Sequence, residues 1–414
     1  TLVAEIFMSG FVYLISPGFV NDPDKFKLAT DLSRITFPFL LFVSLSSFFS
    51  AILNSNGKFA VAAGVPIILN VFLIISIFYA HFFDHSYVKS MAIAVFLSGL
   101  AQLIVLIIYS RNFFIPKINF IIKFGDQLKV FFKKLLPSIF SSGVMQINIL
   151  VGTIIASFQS SAVSYLYYAD RIYQLPLAIS GIAIGTVVLP VLSRSIASDT
   201  NERVLFLQNR SIELSIFLSA PAAVGIIVGA EEIISCLFGY GSFDQESIYN
   251  TSRALIIFGF GLPAFSLLKL YSNFYFARGD TNFPFKVSVF TVAMNILISL
   301  VFFENFGFLS IAAGTSISCW LAVFVYKFSL KKNNLHLSDS VFIERFAKIF
   351  VCSMVMGSLL YYQFFYFSEK FLVNDLTKVF YLFLIIGNSI FVYFIMSIIF
   401  KAFSIKDFKL KNYK

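Results

Sequence analysis

Charge is what this sequence holds least of. Asp, Glu, Lys and Arg together make up 13% of 414 residues, about half the share an ordinary soluble domain uses to meet water. A soluble globular surface is thereby excluded. Cysteine is scarce as well: Cys236, Cys319 and Cys352 stand far apart in or beside apolar runs, so neither a disulfide framework nor metal-ligand spacing can be drawn from them. Strict apolar–polar alternation over roughly ten residues, the mark of a membrane barrel, is missing. So are the G-x-S-x-G elbow and the glycine-rich phosphate loop, which disfavours catalysis. His81 and His85 flank Asp84 in a short loop, where polar residues are expected without any metal, and His336 is a plain loop residue. No metal site is expected. The start has no initiator Met and no signal peptide, and its first apolar stretch carries Glu5. The expectation is that the sequence begins inside a larger protein.

What the chain does have is hydrophobic length. Apolar residues fill 58% of it and the mean hydropathy is +0.87. Runs of about 18 to 25 apolar residues recur throughout, each long enough to cross a bilayer as a helix. They fall at roughly 2–15, 35–53, 60–83, 90–110, 135–157, 172–193, 212–234, 254–276, 284–303, 308–328, 346–366 and 379–400. The expected fold is therefore an all-α integral membrane protein of about twelve transmembrane helices. Pro38, Pro66, Pro176, Pro221 and Pro263 lie within or near spans, a pattern membrane helices tolerate where protein or a wet cavity satisfies the freed carbonyls.

The basic residues test this count. If alternate loops share a side, one side collects Lys58, the six from Arg111 to Lys134, Arg194, Arg203, Arg210, Arg278, Lys286, the five from Lys327 to Lys348 and the five from Lys401 onward, which is 22 of 31 Lys and Arg. The positive-inside rule makes that side cytoplasmic. The net charge of +10 then reports orientation and contact with anionic membrane lipid, and no nucleic-acid partner is expected.

A faint duplication runs through the chain. Pro17-Gly18-Phe19, Asp22, Arg34, the turn Asn54–Gly57, Pro66 and Asn70 are echoed by Tyr240–Asp244, Arg253, the turn Arg278–Asn282, Pro284 and Asn295. Phe19 to Asn54 and Phe243 to Arg278 are both 35 residues. The copies start six spans apart and so cross the membrane in the same direction, the plan of a parallel-repeat transporter. The basic stretch between them reads as a linker.

Few polar residues stand inside spans. In Tyr167–Pro176, a helix would place Arg171, Gln174, Ala178, Gly181 and Gly185 on one face, a small and polar stripe suited to a cavity wall. The alternative is that Arg171 reaches the headgroups and pairs with Asp170. Lys269 sits mid-span with Ser266 and Asn273 on its own face, which also favours a cavity. Arg34 and Arg253 begin helices, as interfacial anchors or as cavity residues. Gly181-x3-Gly185 and Gly225-x3-Gly229 read as close-packing motifs. A cavity carrying Arg171 and Lys269 would attract an anionic head group, since a guanidinium binds phosphate through paired charge-assisted bonds.

Several segments resemble the MurJ (MviN) family of bacterial lipid II flippases, within the multidrug/oligosaccharidyl-lipid/polysaccharide exporter group. They are Ser16–Phe19, Arg34–Pro38, Ala51–Asn54 with Phe59, Pro66–Asn70, Ser164–Pro176 running on to Gly185–Pro190, Tyr240–Phe243, and Phe274–Thr281 with Pro284. The resemblance implies a fourteen-helix, two-lobed transporter with a cationic central cavity, of which this chain holds the third to fourteenth helices. It assigns 1–110 to the rest of the N-terminal six-helix lobe, 111–134 to a basic cytoplasmic linker and 135–330 to the C-terminal six-helix lobe. Residues 340–400 become a final helix pair forming a lipid-tail groove, and 401–414 a basic cytoplasmic tail. The implied substrate is lipid II, moved by alternating access from the cytoplasmic to the periplasmic leaflet of the inner membrane by a monomeric chain. The family's cavity arginine falls on Arg171, and an acidic residue common three positions later is Gln174 here. Asp170, Lys269, Arg253 and Asn273 complete the expected cavity set. No cofactor is implied. Some members bind sodium, and the matching positions Gly152, Asn295, Ser299 and Thr315 offer no carboxylate, which leaves sodium or membrane-potential coupling open. Rival readings are an exporter of another polyprenyl-linked oligosaccharide, a small-molecule antiporter of the same group, a membrane-embedded enzyme acting on lipid-linked sugars, or a non-transporting partial copy.

Overall fold

Apolar runs that cannot hydrogen-bond their backbone to lipid must satisfy it internally, and this chain does so with helices. The computed structural model describes residues 1–114, 146–197, 201–333, 340–372 and 377–402. Among them, ten helices are long and apolar enough to cross a membrane. The chain divides into two compact units, Thr1–Leu136 and Pro137–Lys414.

The first unit begins with α1 (Leu2–Ile6) and α2 (Met8–Ile15). The expected single span at 2–15 is thus two short helices, interrupted at Phe7 with φ −101° and ψ 27°. A 3-10 turn at Pro17–Asn21 leads to α3 (Pro23–Thr36), α4 (Pro38–Ser55), α5 (Phe59–Phe82) and α6 (Tyr87–Ser110). Arg34 stands in the last turn of α3 and does not open a helix as expected. The reason is local: Asp22 caps α3 through the Lys25 N–H at 3.1 Å, so helix begins 12 residues earlier. Pro38 then starts a new helix where its missing N–H does no harm. Gly99 lets α6 approach α4, since a Cβ there would lie 2.6 Å from Phe39. Phe49, Leu53, Val65 and Leu106 form the buried core between α4, α5 and α6.

The second unit contains α7 (Gln146–Ala156), α8 (Ala162–Leu177), a π-helical turn at Ala178–Ala183, and α9 (Ile184–Ala197). There follow α10 (Asn201–Phe238), α11 (Gln245–Phe276), α12 (Asn282–Phe306) and α13 (Leu309–Lys332). The chain ends in α14 (Ser340–Tyr366), α15 (Ser368–Leu372) and α16 (Thr377–Ile399). Helix α11 is the central one, with Ala254, Leu255, Leu262, Ala264, Leu270 and Phe274 inaccessible to solvent. Helix α10 bends at Gly229, whose backbone leaves helical geometry. A Cβ at that position would sit 2.6 Å from Phe364 of α14, so the glycine admits a close crossing.

The two sequence copies share their local signals. Asp244 caps α11 through the Ser247 N–H at 2.9 Å, as Asp22 caps α3, and this bond holds the Asp244 carboxyl below its ordinary range. Gly57 and Gly279 end the corresponding turns at φ +75° and +77°, a left-handed conformation that glycine adopts without strain. Residues 135–145 of the expected span at 135–157, most of the basic stretch 111–134, and residues 403–414 of the tail lie outside the described residues.

Candidate functional site

Helix α8 starts from a tight turn closed by a side chain. Gln159 Oε1 accepts from the Phe308 N–H at 2.8 Å and lies against Gly307, which has φ +58°. Two turns into α8 stands Arg171, exposed on the surface of the second unit. Its guanidinium stacks 4.7 Å from the Tyr167 ring centroid, and its Nη2 donates to Tyr167 Oη at 3.0 Å. Asp170 points elsewhere: its carboxylate accepts from Gln174 Nε2. The expected alternative of an Arg171–Asp170 ion pair is therefore not what the structure shows. Tyrosine holds the arginine, the Asp170 charge acts on it without a direct bond, and the other guanidinium donors stay available to an anion.

The five-residue stripe expected below Arg171 does not form one open face. Arg171, Gln174 and Ala178 are exposed, whereas Gly181 and Gly185 are buried. A Cβ at Gly181 would lie 3.1 Å from the Ser266 Cα, and one at Gly185 2.6 Å from Asn273 Nδ2. The cause is the π turn. It adds a residue to one turn of the helix, so the exposed face continues at steps of four through Leu175, Ile179, Ala183 and Val187. Cross-helix hydroxyls hold that turn: Ser215 Oγ donates to Ser180 O at 2.9 Å, and Ser180 Oγ meets Ser266 Oγ at 2.7 Å.

This packing also corrects the grouping of Lys269 with Ser266 and Asn273. Ser266 is fully buried against the π turn and Asn273 is half-buried beside Gly185 of α9, while Lys269 is exposed with its charge near the Cys319 thiol. With Gly181 level with Ser266, Arg171 lies ten residues to one side of that contact and Lys269 three to the other. At 1.5 Å per residue they are about 20 Å apart along the helices, too far for one pyrophosphate to touch both. Arg253, in the third turn of α11, is exposed and stacks 5.3 Å from the Tyr249 ring.

The expected cation positions do meet. Asn295 is 4% exposed, and its Nδ2 donates to Asn148 Oδ1 at 2.6 Å and to Thr315 Oγ1 at 3.3 Å. Ser299 Oγ donates to Asn295 Oδ1 at 3.2 Å. Asn148 is the member that the sequence did not point to, and a Cβ on Gly152, a turn away, would lie 3.5 Å from Ile311. The side chains of this neutral network hydrogen-bond one another across α7, α12 and α13. Among the described residues no group of three or more His, Cys, Asp or Glu could hold a metal ion. His81 bonds Tyr87 Oη at 3.2 Å, and His85 packs on Tyr79.

Two further polar groups escaped the sequence reading. Lys378, at the start of α16, is 2% exposed, and its Nζ donates to Ser235 O at 3.0 Å and Gly239 O at 3.3 Å at the end of α10. Glu213 of α10 accepts from Arg210 and, at 3.1 Å, from Arg345 of α14. Both tie the final helix pair to α10. The only hint for Lys378 was a lysine on the side that the charge rule leaves poor in basic residues.

The family model described as lipid II flippase MurJ matches residues 1–382. A probable lipid II flippase MurJ of Rickettsia prowazekii (strain Madrid E) is 33% identical over 380 residues, covering 89% of this chain and 74% of that protein. That of Rhizobium tropici is 36% identical over 367 residues, covering 87% and 69%. The solved structure of lipid II flippase MurJ in an inward closed conformation superposes with a TM-score of 0.81 at 26% identity, over 97% of this chain and 80% of that one. An inward-facing multidrug resistance MATE family transporter of the MOP superfamily shares the fold alone, with a TM-score of 0.67 at 15% identity over 80% of this chain and 78% of that one. The chain belongs to the MurJ family of lipid II flippases, multi-pass transporters of the bacterial inner membrane.

Proposed function

We propose that this chain moves lipid II, a polyprenyl-pyrophosphate-linked peptidoglycan precursor, from the cytoplasmic to the periplasmic leaflet by alternating access. The two units act as the lobes, and the spans correspond to the third to fourteenth of a fourteen-helix plan within the MOP superfamily. The observation that carries the reading is Arg171, an exposed guanidinium held by Tyr167, while the Asp170 carboxylate accepts from Gln174 instead. A cation presented this way can grip a pyrophosphate through paired charge-assisted bonds and release it when the lobes rock. Lys269, displaced along the helices, acts as a second cationic stop on the path rather than as part of the same grip. The polyprenyl tail stays in lipid along the exposed apolar faces of α14 and α16, where Tyr361, Phe365, Phe383 and Phe391 are all more than 60% exposed. The chain acts as a monomer. The Asn295 network serves helix packing in this scheme.

Complementation tests the proposal. In cells depleted of their own flippase, the full-length protein is expected to restore growth and Arg171→Ala to fail at equal membrane abundance. Rescue by Arg171→Ala would remove the role given to that residue.

A further inference from the structure

The structure assigns the non-cytoplasmic end of the second unit a pocket for an uncharged sugar, a resting place for the glycan of the moving head group. The inference rests on the reading of this chain as a carrier of a lipid-linked glycan. A cavity of about 440 Å³ opens between the first turns of α8 and the loop joining α10 to α11, within the roughly 300–1,000 Å³ range of small-ligand sites. Seven of its nine lining residues carry a hydroxyl and none carries a charge. The hydroxyls of Ser161, Ser164 and Ser242 make no hydrogen bond to another described residue, so they can each donate to or accept from a ligand.

The aromatic wall is fixed in advance. Tyr168 packs against Phe238 at 4.7 Å and edge-on to Phe243 at 5.3 Å. The Tyr240 ring carries the buried Lys378 ammonium 4.0 Å from its centroid. The loop between them is pinned by the Asp244 cap and turns at Gly241 with φ +60°. Hydroxyl groups beside aromatic faces suit a ring that is polar at its edge and C–H-rich on its faces. A pyrophosphate would need cations or clustered N–H donors, and a polyprenyl chain would need apolar walls. No cation lines the pocket, and a hydrocarbon would leave its seven hydroxyls without partners.

Two observations place the pocket on the exit path. The loops 158–161 and 239–244 at its mouth contain no Lys or Arg, whereas the opposite helix ends hold Arg194, Arg203 and Arg278. Ser164 and Arg171 are seven residues apart on α8, about 10 Å along the axis. A phosphate gripped by Arg171 therefore leaves the adjoining sugars near the depth of the cavity.

Saturation-transfer NMR on the full chain in lipid nanodiscs tests this, with N,N′-diacetylchitobiose as the probe. Transfer to the sugar is expected in the parent, its weakening in Ser164→Ala, and its loss in Ser164→Trp and Ser242→Trp, which fill the pocket from exposed positions. Absence of transfer in the parent, or undiminished transfer in both tryptophan variants, overturns the assignment. Matched size-exclusion profiles guard against misfolding. Sugar contact is read without translocation, so it can fail while complementation succeeds, and the reverse.

Discussion

Lys378→Met probes how the final helix pair is held. The lysine gives two charge-assisted hydrogen bonds, to Ser235 O at 3.0 Å and Gly239 O at 3.3 Å, each worth about 1.5–3 kcal/mol. Its ammonium also lies 4.0 Å from the Tyr240 ring centroid, which adds about 1–2 kcal/mol in a desolvated setting. Taking the ammonium out of water opposes these gains by several kcal/mol, yet removing one partner of a buried polar group is still destabilising. Methionine keeps the length of the side chain and loses its charge, so the net weakening of the α16–α10 attachment is about 2–4 kcal/mol. Cys236 supplies the readout. It is 1% exposed, and its Sγ donates to Lys378 O at 3.5 Å, so a reagent reaches it only when α16 lifts away. With Cys319 and Cys352 replaced by alanine, Cys236 is the one thiol left in the sequence. Maleimide labelling in detergent should then quicken by roughly 30- to 1,000-fold in Lys378→Met, the population change that such an energy implies. A labelling rate within about threefold of the parent would refute the reasoning.

Other positions give quicker tests. A Cβ in Gly314→Ala would lie 2.5 Å from Asn295 Oδ1, 2.6 Å from Ser299 Oγ and 2.9 Å from the Asn295 carbonyl oxygen, so α12 and α13 must separate; a loss of about 1–3 kcal/mol is expected in thermal denaturation, with Gly387→Ala, which meets nothing within 4 Å, as the neutral control. Tyr167→Phe removes the hydroxyl that accepts from Arg171 and keeps the ring beneath it, so translocation should slow about two- to tenfold, the worth of one hydrogen bond, and a null effect would leave the ring alone as the positioning group. The Ser247 N–H holds the Asp244 carboxyl below its ordinary range, so its cap contributes fully above that range and is lost as pH falls through the lowered value; melting temperature should drop on acidification more steeply in the parent than in Asp244→Asn, which caps without titrating.

The spans were legible because lipid imposes a length and a composition on any helix that crosses it. Their ends were not. Helix α10 starts at Asn201 and α11 at Gln245, well ahead of the apolar runs at 212 and 254, because a helix can continue past the hydrocarbon into water while hydropathy stops at the first charges. The repeat was legible where it rests on backbone chemistry, in Asp22 and Asp244 as caps and in Gly57 and Gly279 as left-handed turns.

Arg171 stood out by itself, since a charge within an apolar run asks for a reason. Its partner did not: Asp170 is adjacent in the chain, but neighbours on a helix diverge by about 100°, and Tyr167 one turn back shares its face. The stripe through Gly181 and Gly185 assumed a constant 3.6-residue turn, and Ser215 and Ser266 on other helices sustain a wider one. Asn148, Lys378 and the Glu213 pair with Arg345 acquire their meaning only from residues far along the chain. The sequence by itself determined a helical membrane protein and the caps and turns that its two copies share, which follow from the solvent and from local backbone rules. Tertiary structure decided which faces are open, how far apart Arg171 and Lys269 lie, and what ties the last helices to α10, because each depends on contacts between segments that no local pattern encodes.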